Sequence, residues 1–387
     1  MGMHGCYSGS TPPPAAGIAF AAHNYATITT APECRDFAKW PSGESFEDNV
    51  IAVLAQVKAV NPAALTGIYW RMDFALELAE CSAYRDEWNA KAASTYGLKM
   101  DNGTAVKTGG SYFIDYSNAE ASAFIVNVLV NMTSRMLPDG TPIVDYLYLD
   151  GDPLATQMFP GINAVRAAEI VDAYYATAGA LQRALDERHL GQKVILNGLD
   201  EIADAPHHLG SGAAGNMVDH WSILQFIDGE TGQFNAAAMQ GAFDLIANVH
   251  AYGNVTLKIK GWPGPIAEQK DVYPPPPHAQ VPATAGGKQK LLGELFNSEL
   301  ALFLLVAGEH DYWVYSWFWD WDDYVPGAPQ STVPAEFFPQ AKCELGAPLG
   351  KLTKTGALTY AREFQHAHVH VDLSDRTASS VTFSGKC

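Results

Sequence analysis

Apolar residues along this chain recur in two alternating rhythms. Gly17 to Ala22 is a short apolar run leading into His23 and Asn24, and it reads as a first strand. From Ser45 to Val60 the spacing of Phe46, Val50, Val53, Leu54 and Val57 predicts a helix, with Ser45 as N-cap and Asn61-Pro62 as the stop. Leu65 to Arg71 follows as a second strand with Tyr69 and Trp70 near its end. A helical stretch through Cys81 to Lys91 leads to a small hairpin over Leu98 to Val106, turning at Asp101-Asn102-Gly103. Tyr112 to Tyr116 reads as a third strand, and Asn118 to Leu137 as a long helix.

Val144 to Asp150 is the fourth strand. Leu147 and Leu149 share one face, while Tyr146, Tyr148 and Asp150 share the other, before Gly151 and Pro153 stop the strand. Helix and strand continue to alternate: Asn163 to Arg188 helical, Lys193 to Asn197 strand, Asn216 to Asp219 strand, Asn235 to Tyr252 helical. Val255 to Gly261 is the seventh strand, Lys288 to Ala307 the last long helix and Tyr312 to Trp317 the eighth strand, after a proline-rich loop over Trp262 to Gly287.

About eight strand–helix repeats with long crossovers fit a (β/α)8 TIM barrel with loop insertions better than an open doubly wound sheet. No Gly-x-Gly-x-x-Gly follows a strand, so a dinucleotide cofactor is not expected. The expected organisation is a flexible N-terminal segment over 1–16, a barrel over 17–340 and a small β extension over 341–387 packed on the barrel. Within that extension His366, His368 and His370 alternate at strand spacing without an acidic or cysteine partner in view, so no metal site is assigned to them.

In such a barrel the informative positions are the strand ends and the loops after them. The fourth strand brings Asp150, with Asp152 two residues on; the fifth brings Asn197, with Asp200 and Glu201 beyond; the sixth brings Asp219 and His220. In the seventh strand Lys258 and Lys260 alternate with Leu257 and Ile259, which puts a lysine on the site face. Trp317, Phe318, Trp319, Asp320, Trp321 and Asp322 end the eighth, and loops add Tyr69, Trp70 and Trp262. Aromatic faces for sugar rings and polar groups for their hydroxyls suit a carbohydrate, and two carboxyls suit glycosidic cleavage, one protonating the leaving oxygen and one attacking or activating water. Asp150 and Asp219 are the candidate catalytic pair. Tyr69, Trp70, Asp152, Asn197, Glu201, His220, Lys260, Trp262, Trp317 and Trp319 are the candidate substrate-binding set.

A formal charge of −18, with no cluster of Lys and Arg, argues against a nucleic-acid partner. The longest apolar candidate, Leu291 to Gly308, carries Glu294, Asn297 and Glu299, so no membrane span is expected. The five cysteines contain no Cys-x-x-Cys pair; Cys6 with Cys34 and Cys343 with Cys387 are the pairs that would clamp the two ends. Sequons at Asn102, Asn131 and Asn254 are compatible with a secreted glycoprotein, although Met1 to Ala16 lacks the pattern of a signal peptide.

Asp145-Tyr-Leu-Tyr-Leu-Asp150-Gly, Asn216-Met-Val-Asp219-His-Trp221, and Leu345-Gly-Ala-Pro-Leu-Gly350 with Tyr360-Ala-Arg-Glu-Phe364 and Val369-His-Val-Asp372 together resemble glycosyl hydrolases of TIM-barrel fold, distantly similar to the endo-α-1,4-polygalactosaminidase type. The resemblance implies hydrolysis of a glycosidic bond with Asp150 and Asp219 as the carboxylate pair; Asp219 stands where that group more usually has Glu. It implies a carbohydrate substrate and no cofactor, and a monomer is expected. Two other readings stay open: a non-catalytic glycan-binding barrel, and a metal-dependent hydrolase drawing on His23, His220, Lys260 and Asp150.

Overall fold

A computed structural model gives the fold and describes residues 2–9, 13–32, 45–108, 110–151, 161–189, 191–199, 205–221, 235–251, 256–261, 284–315, 339–375 and 378–387. The described strands and helices, in chain order, begin with β1 (Gly2–Gly9), α1 (Ala15–Asn24), β2 (Thr27–Pro32), α2 (Phe46–Val60) and β3 (Leu65–Arg71). An excursion follows, with α3 (Leu76–Glu80), α4 (Arg85–Lys91), β4 (Lys107–Thr108) and β5 (Ser111–Tyr112). Then come α5 (Ala119–Thr133), β6 (Tyr146–Asp150), α6 (Ala164–Glu187), β7 (Lys193–Leu196), α7 (Ala205–Gly210), β8 (Gly215–Trp221), α8 (Ala236–Ala251), β9 (Thr256–Gly261), α9 (Ala285–Val306) and β10 (Tyr312–Tyr315). The chain closes with β11 (Thr353–Lys354), β12 (Thr359–Glu363), β13 (Ala367–Asp372) and β14 (Ser380–Phe383). It divides into two compact units, one of Gly5–Leu199 with Ala203–Met217, the other chiefly Val218–Cys387 with the first four residues.

In the first unit β2, β3, β6, β7 and β8 pair in that order, all parallel, as a curled half-barrel. Gly67 to Arg71 lie beside Tyr146 to Asp150, and Tyr146 to Leu149 beside Lys193 to Leu196. Ile68, Trp70, Leu147, Leu149, Val194 and Leu196 join one core with Phe46, Val50 and Leu54 of α2, Phe124, Ile125 and Val128 of α5, and Val171, Tyr174 and Leu181 of α6. Parallel strands covered by helices read as near-continuous apolar runs, and all of β6 except Asp150 is buried. The opposite face carries Gly67, Tyr69 and Arg71 of β3 and Tyr146, Tyr148 and Asp150 of β6, the division that alternation along Val144 to Asp150 predicts.

Three expectations change here. The run Gly17–Ala22 lies inside helix α1, because alanine is the strongest helix former and Ile18, Ala21 and Ala22 bury one face at helical spacing. The residues expected to form a flexible N-terminal segment include a strand, β1, whose Gly2 and Met3 pair parallel with Tyr312 and Trp313 of β10. Tyr112–Tyr116 adds no parallel strand: β5 turns back on β4, and Phe113 and Ile114 bridge antiparallel to Phe74 and Gly97. The other boundaries fall within a few residues of the pattern, and Ser45 caps α2 by accepting the Asp48 N–H.

In the second unit β9 pairs with β10 in parallel. Trp313 stacks on Phe303 of α9 and on Tyr315. The terminal strands form an antiparallel sheet in the order β11-β12-β13-β14. Its inner face (Tyr360, Val369, Val371, Val381) is buried, and the sheet lies against α9. Tyr360 reaches Gln240 of α8 through its hydroxyl at 2.9 Å. Arg362 donates through Nη1 to the carbonyls of Leu304 (3.0 Å), Leu305 (3.3 Å) and Ala307 (2.7 Å), where α9 ends with carbonyls that have no intrahelical donor. Cys343 and Cys387 form the expected disulfide. Cys81 is also disulfide-bonded, a residue the sequence reading left out of its pairs. Cys34, expected to pair with Cys6, lies outside the described residues. No described helix is long and apolar enough to cross a membrane.

Candidate functional site

Asp150 ends β6 on the face away from the helices, half-buried beside Arg71 in the next strand. The hydroxyl of Tyr69 donates to Oδ2 of Asp150, and Nδ2 of Asn197 donates to Oδ1 at 2.8 Å. Tyr69 comes from β3 and Asn197 from the turn after β7, so one donor reaches Asp150 from each side of β6. Both oxygens of Asp150 thus accept a hydrogen bond. The ring of Tyr69 leans on Tyr148 at a centroid distance of 5.6 Å.

Beyond Asp150 the backbone turns at Gly151, whose φ of +101° suits glycine. A Cβ there would stand 2.8 Å from both the backbone nitrogen and the carboxyl carbon of Asp73. Asp73 holds Arg71 by two hydrogen bonds, Nε to Oδ1 at 3.0 Å and Nη2 to Oδ2 at 2.6 Å, and the guanidinium lies 4.0 Å over the ring of Phe74. Burial works against the Arg71 charge, but the hydrogen bonds and charge of Asp73, helped by Tyr69 and Asp150, outweigh it and raise its pKa above the ordinary value.

A second polar layer lies under the Asn197 turn. Gly198 has φ of +92°, and a Cβ on it would be 3.9 Å from Nε2 of His208. His208 is buried, and its Nδ1 meets Oδ1 of buried Asn216 at 3.2 Å. Burial pushes its pKa down to about 4, with the Asn216 hydrogen bond opposing and the His207 charge adding slightly. The ring is therefore neutral at ordinary pH.

Of the expected site residues, the structure brings together Asp150, Tyr69 and Asn197. Trp70 is corrected: it is buried on the helix-facing side, edge-on to Phe46 at 5.7 Å, because neighbours in a strand point to opposite faces and Tyr69 takes the site face. Asp219, His220 and Lys260 fall within β8 and β9, and their side chains lie outside those described. Asp152, Glu201, Trp262, Trp317 and Trp319 lie outside the described residues altogether. His23, invoked for a metal-dependent chemistry, is exposed near the end of α1 and not at a strand end; among the described residues no group of three or more His, Cys, Asp and Glu is placed to hold a metal ion. Arg71, Asp73 and His208 escaped the sequence reading. For Arg71 the signal was present, since it stands two residues beyond Tyr69 and shares its face.

No family model matches the chain, and no curated protein matches it by sequence. Solved structures do match in fold. A β-galactosidase from the psychrophilic Marinomonas ef1 aligns with 88% of this chain and 58% of its own at 13% identity, TM-score 0.51. A polyextremophilic β-galactosidase from the Antarctic haloarchaeon Halorubrum lacusprofundi aligns with 86% of this chain and 55% of its own at 9% identity, TM-score 0.51. This chain thus spans little more than half the length of either. Cyclic α-maltosyl-(1→6)-maltose hydrolase from Arthrobacter globiformis aligns over 96% of this chain and 90% of its own at 11% identity, TM-score 0.50. At these identities the likeness is one of fold.

Proposed function

We propose that the chain is a glycoside hydrolase on a complete (β/α)8 barrel, cleaving a poly- or oligosaccharide with Asp150 and Asp219 as its carboxylate pair. The observation that carries this reading is Asp150 itself: a carboxylate at the C-terminal end of a parallel strand, held by a donor from each side of that strand, where α/β barrels put their chemistry. The fold likeness to enzymes named β-galactosidase and cyclic α-maltosyl-(1→6)-maltose hydrolase supports it. Asp150, accepting at both oxygens, takes the role of attacking the sugar or activating water, and Asp219 that of the acid. For Asp219 the support is strand parity. Strand parity along β8, which pairs in parallel beside β7, is read from the sequence alone. The disulfide between Cys343 and Cys387 supports an oxidising, extracellular setting, and Asn102 of the first sequon is exposed on its hairpin turn.

The test is release of reducing ends from a panel containing α-1,4-galactosaminan, β-1,4-galactan, pullulan and xyloglucan. Asp150→Asn should lower the rate on the cleaved glycan at least about a thousandfold, the scale of removing a catalytic group, with the thermal melt unchanged. Full activity in that variant would sink the assignment. Turnover of galactosaminan would support the polygalactosaminidase type. Oligosaccharide binding without turnover across the panel would favour the glycan-binding alternative.

A further inference from the structure

We propose that Tyr69 and Asn197 are positioning residues, which fix the Asp150 carboxyl group in place and do not hold sugar. The proposal rests on the glycosidase reading and deepens it, since both residue types are natural sugar ligands and were expected to serve as such.

Each oxygen of Asp150 has its own donor, Tyr69 at Oδ2 and Asn197 at Oδ1, one from each side of β6. Rotation of the carboxyl plane would break both bonds together. The Asn197 amide is the more telling partner. Its Oδ1 is buried and has no hydrogen-bond partner among the described residues, an arrangement proteins generally avoid. Turning the amide over would set Oδ1 of Asn197 against Oδ1 of Asp150, acceptor facing acceptor. The amide is therefore committed to one orientation, with its donor on Asp150 and its acceptor sealed from solvent. An enclosed acceptor cannot take a hydrogen bond from a sugar hydroxyl.

The supporting contacts point the same way. Gly198, next in the chain, sits over the ring of His208, which Asn216 holds in turn, so the loop carrying Asn197 rests on a packed polar layer. Tyr69 extends from a strand whose neighbouring position, Trp70, is locked in the helix-facing core, and its own ring leans on Tyr148. Positioning groups need such support, because a small displacement of a catalytic group is expensive in rate.

Two variants test this on the full chain: Tyr69→Phe, which removes one oxygen, and Asn197→Ala. On the glycan that the wild type cleaves, each should lower kcat roughly 10- to 100-fold while KM stays within about twofold, because an interaction serving the reacting group acts in the transition state. A tenfold rise in KM with kcat preserved would overturn the proposal and return both residues to sugar binding. A second arm needs no substrate. In protein labelled with 13C at the aspartate carboxyl carbons, the signal missing from Asp150→Asn identifies Asp150. That signal should move at pH 7 in both Tyr69→Phe and Asn197→Ala. A signal unmoved in both would overturn the proposal even if Asp150 proves catalytic. Full activity in Asp150→Asn, with the signal moving as expected, would instead remove the glycosidase reading and leave the positioning intact.

Discussion

The ring of Tyr146 lies across the backbone of Gly67 on the neighbouring strand, so close that a Cβ on Gly67 would stand 2.0 Å from ring carbon Cε2. The same tyrosine reaches Thr29 of β2 through its hydroxyl at 2.8 Å, so one side chain spans three strands. Gly67→Ala should cost about 3 kcal/mol, combining overpacking with a strained buried hydrogen bond. Chemical denaturation measures the loss. Adding Tyr146→Ala should make the alanine at 67 nearly harmless, giving a strongly non-additive pair.

Lys58 of α2 is buried and meets Asp145 at 2.6 Å, and Asp145 also accepts the Thr66 N–H at 2.7 Å. Asp145→Ala would strand the lysine charge and should lower stability by about 3 kcal/mol, whereas Lys58→Met, which removes the charge with its stem kept, should cost less. Lys58 in the last turn of α2 meets Asp145 just before β6, opposite the Asp150 end, so activity per folded molecule should stay unchanged in both variants.

His208 makes stability depend on pH. Its folded pKa is depressed to about 4 from the ordinary 6.5, so between these values the unfolded chain binds a proton that the folded chain does not. Unfolding is therefore favoured as pH falls, beginning near 6.5, and the full cost of about 3 kcal/mol is reached below 4. Melting temperatures taken between pH 7 and 4 should fall, and His208→Gln should flatten the part of that fall that His208 causes. An equal slope in the variant would show that other groups carry it.

Joining Cys343 to Cys387 closes a segment spanning 44 residues of sequence, which includes all four strands of the terminal sheet. Replacing both cysteines by serine should cost about 2–4 kcal/mol through the freedom regained by the unfolded chain. The loss should appear in that sheet first, and reduced wild type should lose at least as much, since reduction also opens the bond at Cys81.

How far the sequence discloses this molecule depends on where the signal is local. Helices α2, α5 and α6 were legible because capping residues (Ser45, Asn118, Asn163) and helical spacing agree. β6 is the fourth parallel strand along the chain, as its pattern suggested, but by compensating errors. An alanine-rich helix and an antiparallel excursion stood in for β1 and β2. β1 reads Gly-Met-His-Gly-Cys-Tyr-Ser-Gly and has no two-residue period; its pairing with β10 is a tertiary matter that no local pattern reports. At the site, Asp150 was visible from its place at a strand end. The roles of Tyr69 and Asn197 were not, since nothing in the sequence says that their donors meet on one carboxylate. Trp70 has the chemistry of a sugar platform, but strand parity places it on the other face.

The grip of Arg362 on the end of α9 has a consequence for dynamics. A helix terminus capped by a residue some 58 positions later in sequence cannot fray independently of the sheet that delivers the cap. Amide hydrogen exchange over Phe303 to Val306 should therefore report whether the terminal sheet is seated. It should accelerate in Arg362→Ala or when the sheet is loosened by reduction, while exchange in the middle of α9 stays slow.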